Sequence, residues 1–399
     1  MRVIGAISAV MAVVAVELGL AVLIRRLRHG FPWLLSPADV APEIPAALVE
    51  RHRSFDADLG WCRRPGERGT ELTDRGETRY EVDGLGRRHN PGFAGLPAAV
   101  ACFGDSYVFC RLVNDDETWP HQLSRLLGTN AANYGVGNYG LDQALLRLER
   151  ELPGLEADVV VMGVVPETIA RVHSYWKHYF EYGNVLAFKP RFTLESGTLV
   201  AHPPAVTSPD DYQTYREQLP HIIALDPFYH AKFRRDLLAF PYLPRLLLRA
   251  RRHFPVLAHL VRGRPRDAFD EVLRDNARWT ARLYADHGAC ELLGALVERF
   301  AAVCRAAGKH PVLLIVPQPA DLDRDGGTAH RHMTTRLATR LPVVDVTDRF
   351  RREPDLFVHG KLGPHCGPRG NAVIASELRP VVEPLLEVRE GGTHARQGA

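Results

Sequence analysis

Residues 98–110 read AAVACFGDSYVFC, a run of small and apolar side chains that stops at Gly104-Asp105-Ser106. A run without polar alternation is the pattern of a strand covered on both faces, as strands of parallel sheets are. Four further runs repeat it: AANYG (131–135), ADVVVMGVV (157–165), PVLLIVP (311–317) and PVVDV (342–346). Helical stretches separate most of them. DETWPHQLSRLLG starts on a capping Asp116 and stops at Gly128, and GLDQALLRLEREL sets Leu141, Leu145, Leu148 and Leu152 on one stripe. CELLGALVERFAAVCRAAGKH repeats the stripe and stops at Gly308. Strands alternating with amphipathic helices predict an α/β fold on a parallel, doubly wound sheet.

Ligands of an open α/β sheet bind beyond the carboxyl ends of its strands. Ser106 stands at the end of the first strand, NYGVGNYG (133–140) follows the second, and GVVPETIAR (163–171) follows the third. Near the C-terminus, HGKLGPHCGPRGNAVIASEL (359–378) sets His365 in a Gly/Pro loop before a helix whose start is marked by Pro368. A serine hydroxyl is a weak nucleophile until a base takes its proton, and a histidine that titrates near neutrality can do so. The negative charge then developing on a substrate oxygen needs fixed donors, which backbone N–H groups of a Gly-rich turn supply. Ser106 and His365 are therefore the candidate catalytic pair.

Composition bounds the function from other sides. With 50 basic against 47 acidic residues and a formal charge of +3, the chain has no basic footprint for nucleic acid. Its 46% hydrophobic content suffices for a packed core. The six cysteines, Cys62, Cys102, Cys110, Cys290, Cys304 and Cys366, include no C-x-x-C pair, so neither a zinc site nor a disulfide framework is indicated. No metal and no cofactor is expected. Residues 3–24, VIGAISAVMAVVAVELGLAVLI, carry one charge, Glu17, and as a helix would span roughly 33 Å. An uncleaved single-pass anchor is expected ahead of a cleaved signal peptide, because the apolar stretch is long and no A-x-A site follows it. Arg2 precedes the stretch and Arg25, Arg26 and Arg28 follow it, so basic residues favour a cytoplasmic body by a margin of two side chains. The side of the membrane stays open.

The order of these motifs adds a resemblance. G-D-S after the first strand, N-x-G-x-x-x-x-G after the second, and His365 followed by GPRGNAVIASEL resemble the SGNH (GDSL) hydrolase superfamily. The lead-in FDADLGWCRRPGERGT with GDSYVFCRLVNDDETWPHQL is similar to the bacterial, membrane-tethered branch found among polysaccharide-modifying systems. The resemblance implies a flavodoxin-like three-layer α/β/α fold with a five-stranded parallel sheet. It also implies ester hydrolysis or acyl transfer on carbohydrate or lipid substrates. Carried over, Ser106 matches the nucleophile and supplies one oxyanion N–H, and Asn138, just after Gly137, matches the second donor. Asn tolerates the left-handed backbone this position takes. The third donor is an asparagine in the family's G-x-N-D block, where this chain has GVVPET and the nearest match is Glu167. A carboxylate there would oppose catalysis unless protonated. The family's D-x-x-H has Leu362 in place of its aspartate, which leaves Asp355 or a backbone carbonyl to orient the imidazole.

The expected organisation is an anchor (1–29), a Pro/Gly/Arg-rich lead-in packed on the main domain (30–97), the α/β domain (98–170 and 310–387), a largely helical insertion (171–309) and a polar tail (388–399). Within the lead-in, TRYEVDGLGRRHN is expected as an edge hairpin. The insertion fills about 145 residues between the third and fourth strands, far beyond one crossover. Its aromatic-rich start, RVHSYWKHYFEYGNVLAFKPRF (171–192), reads equally as a cap with its own core and as a lid whose rings stack on a sugar. Arg171 is expected to pair with Glu167 at the surface or to hold an acidic substrate. Lys189 and Arg191 are expected at the site mouth or in a solvated turn. The leading functional expectation is an esterase or O-acyltransferase that removes or moves an acyl group, acetyl foremost, on a saccharide or lipid. The rival is a catalytically impaired carbohydrate-binding or assembly component of a polysaccharide system, and thioester chemistry on a lipid or carrier is a third.

Overall fold

The computed structural model describes residues 2–52, 54–322, 329–361 and 363–394. Leu362, the residue at the D-x-x-H position, lies outside the described residues. The chain divides into two compact units, one of residues 1–52, 174–188 and 208–278, the other of residues 53–173, 189–207 and 279–399. This division cuts across the expected one: it splits the lead-in at residue 52 and shares the 171–309 segment between both units.

In the second unit all five apolar runs are strands: β1 (Ala98–Gly104), β2 (Asn130–Asn133), β3 (Val159–Val164), β4 (His310–Ile315) and β5 (Val343–Asp345). Every pairing among them is parallel. Their order across the sheet is β5-β4-β3-β1-β2, which is the flavodoxin-like arrangement 2-1-3-4-5. On one face Val100, Val161, Val312 and Leu314 bury against Trp119 and Leu123 of the helix Trp119–Leu127 and Ile374 and Leu378 of the helix Pro368–His394. On the other, Leu313 and Ile315 lie beside Leu293 and Val297 of the helix His287–Ala306. This two-sided burial is why the strands read as continuous apolar runs. The cap of the first helix differs from expectation: Thr118, not Asp116, accepts the N–H of His121, and the chain leaves through Gly128 at φ 68°.

A second, antiparallel sheet joins segments that are far apart in sequence. Its strands lie in the order Gly363–Cys366, Phe357–Gly360, Arg68–Thr73, Gly76–Glu81. TRYEVDGLGRRHN contributes most of the outer strand, and as expected it also turns back on itself, with Val82 bridging Arg88 antiparallel and the His89 N–H donating to the Glu81 carbonyl at 2.8 Å. His365 sits on a strand of this sheet and not in a loop, three residues before the helix that begins at Pro368. The 171–309 segment also holds a β-hairpin, Arg191–Glu195 with Thr198–His202. Lys189 is neither at a site mouth nor in a solvated turn. It is fully buried, its Nζ paired with the carboxylate of Asp142, also fully buried, and with the Pro190 carbonyl at 2.7 Å.

The first unit contains α1 (Arg2–Gly30), within which Ile7–Gly30 is long and apolar enough to cross a membrane. Its aromatic residues form an interior. Trp176 stacks on Phe188 at 4.7 Å and packs on Tyr179 and Tyr215, while Tyr179 meets Tyr229 and Phe233. Tyr175, Trp176, Tyr179, Phe180, Tyr182 and Phe188 are all buried. These six rings are packed within the structure and turn little surface to solvent.

Removing one partner of a buried ion pair strands the other charge, at a cost of about 3–5 kcal/mol. Lys189→Met is expected to lower unfolding stability by that amount, and Asp142→Leu combined with Lys189→Met by clearly less. Urea denaturation of the three proteins measures it, and a cheap single variant would contradict the account.

Candidate active site

The site grows from the end of β1. Gly104 has φ 152°, and a Cβ there would stand 2.0 Å from the Gly163 carbonyl oxygen of β3, so only glycine lets the strand turn. Asp105 follows as the N-cap of the short helix Ser106–Phe109, its Oδ1 accepting the Tyr107 N–H at 2.8 Å. Its other oxygen meets buried Arg171 at 2.9 Å, and the same guanidinium reaches Glu167 at 2.7 Å. Burial raises the Asp105 carboxyl pKa and the Arg171 charge opposes that rise. The expected surface pair of Arg171 and Glu167 is thus an interior three-way ion pair, and Arg171 is 4% exposed.

The Ser106 Oγ lies 2.9 Å from His365 Nε2 across 259 residues of chain. Two contacts set the imidazole: Tyr107 stacks on it with centroids 4.8 Å apart, and the Tyr107 hydroxyl donates to the Pro364 carbonyl at 2.9 Å. Among the described residues no side chain accepts from the other ring nitrogen, Nδ1, and the one backbone group that acts on the ring, that of Gly363, falls short of full hydrogen-bond geometry. Asp355 is exposed in a turn at φ 60° and does not orient the ring, which corrects that expectation. Burial, followed by the Arg111 and Arg171 charges, pushes the His365 pKa down to about 3, against a small opposing pull from the Gly363 carbonyl. The ring is therefore neutral at ordinary pH, with Nε2 facing the serine hydroxyl.

The end of β2 is locked to the serine helix. Asn133 donates to the Val108 carbonyl at 2.8 Å and accepts the Gly135 N–H at 2.9 Å. A Cβ on Gly135 would stand 2.1 Å from the Phe109 nitrogen. Two residues on, a Cβ built on Gly137 would stand 4.0 Å from that of Ser106, so this turn lies beside the candidate serine. Asn138 has φ 68°, the left-handed backbone expected of it. The Gly137 carbonyl accepts the Trp61 indole N–H at 2.9 Å. In a trans peptide the N–H points opposite the carbonyl, so Trp61 fixes the direction of the Asn138 N–H. Glu167 does not fit an oxyanion donor: its carboxylate is an ion-pair acceptor of Arg171.

Three supporting residues escaped the sequence reading. Trp61, Arg88 and Tyr107 carry no motif of their own, and what they do depends on partners distant in sequence. Arg88 donates to the carbonyls of Phe109, Cys110 and Val113 and pairs with Asp115 at 2.8 Å, which holds the end of the serine helix. Cys102 and Cys110, which flank the serine, are buried thiols whose pKa burial raises, that of Cys110 to about 12.

No protein-family model matches the chain, and no curated protein matches it. It is similar to solved structures named as lipolytic G-D-S-L family proteins from Desulfitobacterium hafniense (9% identity, TM-score 0.32, covering 71% of this chain and 98% of that one) and Veillonella parvula (10%, 0.34, 71% and 96%). It is similar also to TesA (11%, 0.36, 72% and 98%). The parallel five-stranded sheet in flavodoxin-like order, covered by helices on both faces, is the three-layer architecture that the SGNH resemblance implies.

Gly135→Ala must push the serine helix off β2, and overpacking of this kind costs about 1–3 kcal/mol. It is expected to lower stability by at least that much. Thermal unfolding checks it, and a wild-type midpoint would refute the close approach.

Proposed function

We propose that the protein is an SGNH-type serine esterase, anchored to a membrane by α1, that cleaves or transfers an acyl group carried by a saccharide or lipid. The observation that carries this reading is the 2.9 Å contact of Ser106 Oγ with His365 Nε2 at the carboxyl edge of the parallel sheet. Ser106 attacks the acyl carbonyl and gives its proton to His365 Nε2 as the new C–O bond forms. The N–H groups of Ser106 and Asn138 hold the oxyanion, the second kept in direction by Trp61. Collapse of the adduct expels the alcohol, which takes the proton back from His365. Water or an acceptor alcohol then attacks the acyl-enzyme with His365 as base again, and this choice separates hydrolysis from transfer.

A second reading, binding without turnover, is favoured by the His365 imidazole, on which no carboxylate acts among the described residues and only the Gly363 backbone pulls. An imidazolium formed there gains no carboxylate and stands near two arginines. Labelling by a fluorophosphonate probe decides between the readings. The wild-type chain is expected to label, Ser106→Ala not at all, and His365→Ala far more slowly; equal labelling of all three would sink the enzyme.

The pH profile has a definite sign. The base is active when neutral, and its pKa is depressed to about 3, so kcat/KM is expected to stay level as pH falls below 6.5, with its acid limb near 3. A limb near 6.5 in initial-rate measurements would contradict this. Trp61→Phe keeps the ring and removes the donor. A misplaced catalytic group can cost about 100-fold, so kcat is expected to fall by about 10–100-fold with KM little changed.

A further inference from the structure

We propose that the segment 237–261, packed on α1 within the first unit, is itself inserted into the bilayer, with acyl chains against its apolar face and acidic headgroups at its arginine rim. This rests on the reading of α1 as a membrane anchor. Residues 237–248 read LLAFPYLPRLLL, with Arg245 the only charge. They lead into α2 (Tyr242–Leu248), which is followed by α3 (Ala250–Val261). Leu246, Val256 and Leu257 bury with Ile24 of α1, and Leu20, Leu27 and Leu260 pack on the same cluster. The two helices are thus laid along the apolar helix.

The start of α2 is built for a place without water. The first four N–H positions of a helix have no partner within it. Here the cap is Pro241 and the third helical residue is Pro244, neither of which has an N–H. The two that remain, on Tyr242 and Leu243, both donate to the carboxylate of Glu17, the latter at 2.9 Å. Every donor at this helix start is therefore absent or satisfied by protein, as a bilayer interior demands. The same contacts account for Glu17, the one charge in the apolar stretch of α1, which is 5% exposed. Glu17 precedes Arg25 by eight residues, or about 12 Å of helix. With Arg25, Arg26 and Arg28 at the headgroups, the start of α2 lies well inside a hydrocarbon core about 30 Å thick.

The outer face agrees. Phe240 is 74% exposed, Leu247 and Leu248 are 58% each, and Phe254 and Val261 are exposed as well. Exposed Arg234 and Arg235 precede the segment, exposed Arg251 stands in the first turn of α3, and exposed Arg262 follows its end. An apolar face edged with arginines is complementary to acyl chains below anionic headgroups.

The test uses the full-length protein in vesicles of phosphatidylcholine and phosphatidylglycerol, with Cys62→Ala to remove the partly exposed thiol. An environment-sensitive dye is attached in turn at Leu247→Cys, at Val14→Cys on α1, and at Glu217→Cys on the exposed surface of the same unit. Melting midpoints equal to that of the parent verify folding. Lipids spin-labelled on the acyl chain are expected to abolish most of the fluorescence at 247 and at 14 and to leave 217 unchanged. Quenching at 14 without quenching at 247 would leave the anchor standing and overturn the inserted segment, pointing to a protein partner for that face. No quenching at 14 would overturn the anchor and the inference with it.

Discussion

The Asp105–Arg171 ion pair is the contact on which the candidate site hangs. A buried carboxylate is costly without a counter-charge, and Asp105 is buried because it must cap the serine helix from inside the sheet edge. Arg171 supplies that charge from the helix Thr168–His173, which follows β3, and so ties the turn after β1 to the segment after β3. Glu167, on the same guanidinium, is drawn into this structural role and away from an oxyanion. The position that the family resemblance reserves for a neutral donor is here part of a charge network, and in the proposed reaction the burden of holding the oxyanion falls on backbone N–H groups.

A second constraint is electrostatic. His365 is buried, lacks an orienting carboxylate and stands near Arg111 and Arg171, all of which favour the neutral ring. Its orientation comes from packing instead, through the stacked Tyr107 ring and the Tyr107 hydroxyl on Pro364. In the proposed reaction a base held this way remains ready to accept a proton across a wide pH range, yet receives little help in keeping it. Good geometry and weak driving force are thus combined at one residue.

The central sheet was legible in the sequence because two-sided burial leaves an unmistakable apolar run, and Gly104, Gly135 and Gly128 mark places where backbone geometry leaves little choice. Ser106 and His365 were legible as a pair through their place at strand ends and late in the chain. What was not legible depends on distant partners. Lys189 looks like a surface lysine until Asp142 is found beside it. His365 looks like a loop residue because the sheet that carries it is completed by residues 68–81. The ring-rich segment 171–192 looks equally like a lid or a core, since composition says nothing of which way the rings face. Asp355 was chosen by nearness in sequence, which the turn before Phe357–Gly360 defeats.

The antiparallel sheet that carries His365 draws one pair of strands from residues 68–81 and the other from residues 357–366, with the His359 N–H donating to Asp74 across 285 residues. Contacts of such sequence separation form late, because the long loop must close before they repay its entropy. During synthesis the serine emerges and can fold into its turn long before its base exists. Chains released early carry the turn and the central strands but no proton acceptor for Ser106. The Ser106–His365 contact therefore forms only once residues 357–366 have docked on residues 68–81, so the proposed chemistry is tied to closure of this late sheet and not to folding of the central one.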